Sequence, residues 1–217
     1  MKLLTGHFNG TIDKKTGYQY YISLPENYEF ENRKSWPVIL YLHGMGQRGD
    51  DLDQVKENGP LRRIEDGVKL PFVIVAPQCP NDSWWDTDNL KSLLDHIKAA
   101  YSVNDERVYL TGSSMGGAGT WALANSYPEC FAAIAPVCGF FTPGDPGRFK
   151  GLPIWCFHGA MDDFVPINDS LRMVAWIREH GGHVRFTVYP DTGHDSWRET
   201  YSNPELYEWF LEHKRQH

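Results

Sequence analysis

The sequence predicts an α/β fold in which a mostly parallel central sheet is flanked by helices on both faces. Three observations carry this. Seven short apolar, β-branched runs are punctuated by Gly or Pro: YQYYISLP, WPVILYLHG, PFVIVAPQ, RVYLTG, FAAIAPVCG, LPIWCFHG and VRFTVYP. Between most of them lie stretches of helical periodicity, about residues 51–65, 88–101, 115–127, 168–181 and 204–214. VILYL and FVIVA are almost continuously apolar, as strands buried on both faces are. Strand alternating with helix, without a repeat, a low-complexity tract or a Pro/Ser-rich linker, predicts one domain over residues 1–217.

The elements follow in order. YQYYISLP alternates apolar and polar positions and reads as an antiparallel edge strand. WPVILYLHG is a buried strand running into the glycine-rich LHGMGQRGDD. The acids after it, Asp50, Asp51 and Asp53, invite a metal reading but fit the cap of the 51–65 helix better. PFVIVAPQ is a second buried strand, joined through CPNDSWW to the helix at 88–101. RVYLTG turns directly into the helix at 115–127. FAAIAPVCG and LPIWCFHG are separated by GFFTPGDPGRFK, and the helix at 168–181 leads to VRFTVYP and the last helix. Chemistry in open α/β sheets collects at the carboxyl ends of the strands. Four ends therefore matter: after Leu42, Thr111, Phe157 and Tyr189.

Composition narrows the partners. A formal charge of −7 and a pI near 5.7 argue against nucleic acid or an anionic membrane. The start, MKLLTGHFNG, lacks the roughly 7–15 apolar residues of a signal-peptide core. No segment approaches the ~20 apolar residues needed to span a bilayer. The expected location is cytoplasmic, with an exported form whose signal was removed left open. Cys79, Cys130, Cys138 and Cys156 show no zinc spacing; the two in apolar runs read as reduced core residues, and a Cys130–Cys138 bridge stays open. Oligomeric state is open between monomer and homodimer.

The stretch TGSSMGGAGTW supports two readings. Gly117-Ala-Gly119-Thr-Trp-Ala122 formally matches a dinucleotide fingerprint, but it starts inside the helix rather than opening it, and no acid closes a second strand about 20 residues on. Gly112-Ser113-Ser114-Met115-Gly116 matches a nucleophile elbow, G-x-S-x-G, in its strand–turn–helix setting. The positions two before and two after the serine are crowded, so glycine is needed at both. Only Ser114 has glycine at both; Ser113 would have Thr111 and Met115. Gly117 and Gly119 let the helix approach the sheet.

A serine hydroxyl needs a base, and the base needs an orienting carboxylate. In this scheme the chain order is Ser, then Asp or Glu, then His. HGAMDDFVPI supplies the acid and DTGHDSW the base, His194, each just past a strand. The acid is Asp162 or Asp163, neighbours that the residues alone leave undecided. Asp191 and Asp195 sit too close to His194 to reach back onto its ring, and His158 reads as a structural hydrogen-bonder. Backbone N–H groups must meet the oxygen that becomes negative. Met115, after the nucleophile, offers one, and Met45, with Gly44 behind it, offers the second. This chemistry calls for no metal and no organic cofactor. Trp84, Trp85, Phe140, Phe141 and Trp197 are the aromatic candidates for a substrate pocket.

With these motifs in place the chain resembles the α/β-hydrolase superfamily over nearly its whole length. More narrowly it is similar to small bacterial carboxylesterases of the phospholipase/carboxylesterase, dienelactone hydrolase-like and polyhydroxybutyrate-depolymerase-like kinds. YLHGMGQRGDD, APQCPNDSWW, VYLTGSSMGGAGTWALA, HGAMDDFVP and GHDSW carry the resemblance. It implies that Asp162, the first aspartate of H-G-x-x-D-x-x-V-P, is the acid, and it supports Met45 in the oxyanion hole. Where relatives carry a helical cap, this chain has only GFFTPGDPGRFK, so the site should be open and shallow, with minimal or no cap domain. The implied activity is a serine carboxylesterase acting on a small-molecule ester, short-acyl or aromatic, with a feruloyl-type substrate as the sharpest version. A small serine peptidase of the same fold is the alternative within enzymes. A non-catalytic binding protein would be expected to have lost a triad member, and none is lost here.

Overall fold

A computed structural model of the chain describes residues 17–28, 35–142 and 144–215. MKLLTGHFNG lies outside the described residues. Seven strands form one sheet: β1 (Gln19–Ser23), β2 (Trp36–Leu42), β3 (Val73–Gln78), β4 (Val103–Ser113), β5 (Ala133–Val137), β6 (Ile154–Gly159) and β7 (Val184–Tyr189), in the order β1-β3-β2-β4-β5-β6-β7. β1 pairs antiparallel with β3 at the edge, and every other pairing is parallel. All seven predicted strands are present, the antiparallel edge included.

Among the described residues six α-helices cover the sheet: α1 (Gly59–Glu65), α2 (Thr87–Ala100), α3 (Met115–Ser126), α4 (Asn168–Glu179), α5 (Trp197–Ser202) and α6 (Pro204–Glu212). Along β2 the side chains alternate between two apolar layers. Val38, Leu40 and Leu42 join residues of α2, α3 and α4 on one face. Ile39 and Tyr41 join residues of α1, α5 and α6 on the other. Period-two alternation of apolar residues to both faces is why these strands read as unbroken apolar runs.

Two elements differ from the sequence expectation. The helix expected at 51–65 is a 3-10 turn, Leu52–Glu57, followed by α1, with Asn58 between them. Gly59 breaks it, at φ +73°, where an added Cβ would lie 2.2 Å from the Tyr41 ring. At this backbone any side chain would run into that ring, so only glycine fits. The short α5 had no periodic signal of its own and is held by burial of Thr200 and Tyr201. The acids at 50–53 do act at a helix start: the Asp51 carboxylate accepts from the Asp53 N–H. Between β5 and β6 the described residues include only a 3-10 turn, Pro146–Phe149.

The strand order reverses at β2, whose neighbours are β3 on one side and β4 on the other. The carboxyl ends of β2 and β4 meet at this switch point, Leu42 opposite Gly112. A crevice forms where loops leave such a pair in opposite directions.

Candidate active site

Ser114 sits between β4 and α3 with φ +56° and ψ −116°, a strained conformation for a residue with a side chain. The turn is compact because both flanking glycines are in backbone contact. A Cβ on Gly112 would lie 2.4 Å from the Gly116 carbonyl oxygen, and one on Gly116 would lie 1.8 Å from that of Leu42. The neighbouring serine points the other way: Ser113 is buried, its hydroxyl 3.4 Å from the Tyr41 hydroxyl.

Three side chains from three strand ends meet above the sheet. The Ser114 hydroxyl donates to His194 Nε2 at 2.9 Å, and His194 Nδ1–H donates to Asp162 Oδ2 at 2.8 Å. The Asp162 side chain is fully buried, and its charge is met by donors on every side. Oδ1 accepts the backbone N–H groups of Phe164 and Val165 at 3.0 and 2.9 Å. Oδ2 also lies 3.2 Å from His158 Nε2. Asp163, the neighbour that sequence could not separate, is exposed, as are Asp191 and Asp195.

His158 is buried and its ring is spent on structure. Its Nε2–H faces the Val165 carbonyl at 2.9 Å and Asp162 Oδ2, while the Ser170 hydroxyl donates to Nδ1 at 2.8 Å. Burial pushes its pKa down, so the neutral ring is favoured. His158 is thus a structural hydrogen-bonder that also holds Asp162.

The loop after β2 is anchored by His43. Its Nε2 accepts the Cys79 N–H at 2.9 Å, and its Nδ1–H donates to the Gly44 carbonyl at 2.6 Å. That carbonyl and the Met45 N–H belong to one trans peptide, so they point in opposite directions. Holding the first aims the second. Gly44 itself is so near the elbow that a Cβ there would lie 3.6 Å from Ser114 Cβ. Met115 is the first residue of α3, where an N–H has no partner within the helix.

Beside Met115 runs an apolar groove of about 330 Å³, bordered by α3, by Trp84 and Trp85, and by Phe140 and Phe141. Trp84 is exposed and meets Phe140 edge to face at 6.0 Å. Trp85 borders the groove but is mostly core: it is 8% exposed, its indole N–H donating to the His43 carbonyl. Trp197 is placed elsewhere. It lies outside this groove, edge-on to the His194 ring at 5.3 Å, with its N–H bonded to Asn58 Oδ1.

Phe164 and Met161 are not among the residues that the motifs single out. Both are exposed, 79% and 67%, on the loop that carries Asp162, and the Phe164 ring lies 5.4 Å from that of His194. The available signal was a large aromatic directly after the Asp162–Asp163 pair.

Comparison with known proteins agrees with the geometry. The Esterase family model matches residues 13–199. The chain belongs to the esterase family. It is 24% identical over 188 residues to a protein of Aspergillus terreus named probable feruloyl esterase C, covering 84% of this chain and 69% of that one. It is 32% identical over 136 residues to a bifunctional acetylxylan esterase/xylanase of Neocallimastix patriciarum, covering 59% of this chain and 20% of that protein. The crystal structure of a thermostable esterase superposes with a TM-score of 0.80 at 32% identity, covering 90% of this chain. This chain spans 59% of that structure. The esterase thus has the α/β-hydrolase fold and is a carboxylic ester hydrolase. Among its described residues no helix is long and apolar enough to cross a membrane.

Proposed function

We propose that the esterase cleaves short-acyl or aromatic esters through an acyl-enzyme on Ser114. The observation that carries this is the unbroken hydrogen-bond chain from Asp162 through His194 to Ser114, which starts on a strained elbow. His194 Nε2 takes the serine proton as Oγ attacks the ester carbonyl, and Asp162 holds the ring in the tautomer that leaves Nε2 free to do so. The N–H groups of Met45 and Met115 stabilise the oxyanion. His194 then gives its proton to the leaving alcohol and activates the water that frees the acid. No metal or organic cofactor enters these steps.

The groove at Trp84, Trp85 and Phe140 takes the acyl group. Its volume sits at the low end of the roughly 300–1,000 Å³ of ligand sites, which favours a small or flat acyl chain over a long one. Relatives named as feruloyl and acetylxylan esterases support plant cell-wall esters as the sharper version. The catalytic residues all come from one copy of the chain, so a monomer or a homodimer serves equally. Four free, buried cysteines suit a reducing cytoplasmic location.

The test is a panel of initial rates on nitrophenyl esters from acetyl to dodecanoyl, with methyl ferulate and a peptide anilide, for wild type and Ser114→Ala. The expected profile peaks at about two to four acyl carbons or on ferulate and collapses in the variant. Activity surviving in Ser114→Ala would overturn the nucleophile assignment. Turnover of the anilide alone would move the reading to a peptidase.

A further inference from the structure

Ser114 has two apolar flanks, and the acyl groove accounts for only one. The groove is bordered by Trp84, Trp85, Met115 and Phe140–Phe141, and neither Met161 nor Phe164 belongs to it. Those two lie on the loop after β6, on the His194 side. Phe164 is the more telling: 79% of a large apolar side chain faces solvent while its own backbone N–H is committed to Asp162 Oδ1. The ring is therefore tied to the triad through its backbone yet has only part of one face against His194. Large apolar surface left in water costs free energy, and beside the His194 ring it is within reach of a substrate.

The proton route decides what docks there. Resting on the acyl-enzyme reading above, collapse of the tetrahedral intermediate breaks the bond between the carbonyl carbon and the alcohol oxygen. The acyl group stays on Ser114 Oγ, and the Nε2 proton of His194 goes to the departing oxygen. That oxygen must come within about 3 Å of Nε2. The alcohol is thus held over His194, whose ring centre is 5.4 Å from that of Phe164. The acyl group goes into the groove, whose lining includes neither His194 nor Phe164. We propose that Phe164, with Met161 on the same loop, forms an alcohol-side subsite: a flat apolar platform for leaving alcohols built on a ring. Both the C–H face of a sugar ring and an aryl ring have the apolar face that such a platform takes. A small alkyl alcohol would be too short to cover it.

The experiment holds the acyl group constant, so that every substrate passes through the same acetyl-enzyme and only the alcohol differs. Ethyl acetate, benzyl acetate and a monoacetylated methyl xyloside are compared on wild type, Phe164→Ala, Phe164→Tyr and Ser114→Ala. In Phe164→Ala the kcat/KM of a ring-bearing ester relative to ethyl acetate should fall about 3- to 10-fold, mainly through KM, as expected for a lost stacking contact. Phe164→Tyr, which keeps the flat face, should restore the ratio. A fall for benzyl acetate assigns an aryl alcohol, and a fall for the xyloside assigns a sugar; either supports the subsite. A ratio that stays at the wild-type value, or an equal loss on all three esters, overturns it, the second meaning that Phe164 acts only through the Asp162 loop. Ethyl acetate turnover in Ser114→Ala would instead overturn the acyl-enzyme reading beneath it.

Discussion

Asp162 and Asp163 are chemically identical neighbours, yet only one has its carboxylate buried and surrounded by four donors. Asp162→Asn should lower kcat/KM on a short nitrophenyl ester by about 10⁴-fold, because an amide can hold the wrong tautomer of His194. Asp163→Asn, at an exposed position, should stay within about threefold. Initial rates on the two variants check both. His43 makes a second prediction at this scale. Its hold on the Gly44 carbonyl aims the Met45 N–H, so His43→Ala should lower kcat by about 10- to 100-fold with a smaller change in KM. A fall in KM and kcat together, or none in either, would show that the Met45 peptide is not steered this way. The spacing of the motifs placed Ser114 and His194 in the sequence, since both obey chain order and strand position. It could not separate Asp162 from Asp163, because one residue of sequence separation carries no information about which carboxylate turns inward.

At the scale of elements, the elbow and its glycines were legible because crowding leaves a compositional trace. Gly112→Ala or Gly116→Ala puts a Cβ within 2.4 or 1.8 Å of backbone that has nowhere to move. Either should destabilise the fold by at least about 3 kcal/mol, read as a lost or lowered urea midpoint. Gly46→Ala, with nothing within 4 Å of its added Cβ, should stay within about 0.5 kcal/mol. The break at Gly59 was not legible. A glycine inside a periodic stretch is tolerated often enough that only the Tyr41 ring against it decides the matter. The placing of Trp197 was not legible for a related reason: its edge-on contact with His194 and its bond to Asn58, 139 residues away in the chain, depend on tertiary packing.

For the whole molecule, two buried histidines tie stability to pH. Burial pushes His43 down to about 4 from its ordinary 6.5, and pushes His158 in the same direction. Below pH 6.5 the unfolded chain takes up protons that the folded chain refuses, so stability is complete above that point. It is then lost as the pH falls towards about 4, on the order of 3 kcal/mol for His43 alone. Urea midpoints between pH 7 and pH 4 should decline accordingly, and His43→Gln should flatten the slope. The four thiols make a companion prediction. All are buried, and burial pushes those of Cys138 and Cys156 up to about 12. A thiol reagent at neutral pH should label none of them quickly in the folded enzyme and all four in urea.

Strand order along the chain, the glycine-flanked serine and the Ser–Asp–His succession were determined by the sequence alone, because periodicity, crowding and chain order each leave their mark on residue type. The tertiary structure decided which aspartate turns inward, that His158 and His43 serve as anchors, and that Phe164 stands exposed beside His194. Asp162 meets His194 across 32 positions of chain, and His43 reaches Cys79 across 36. Such meetings depend on how loops close over the sheet, and no local pattern of residues records that.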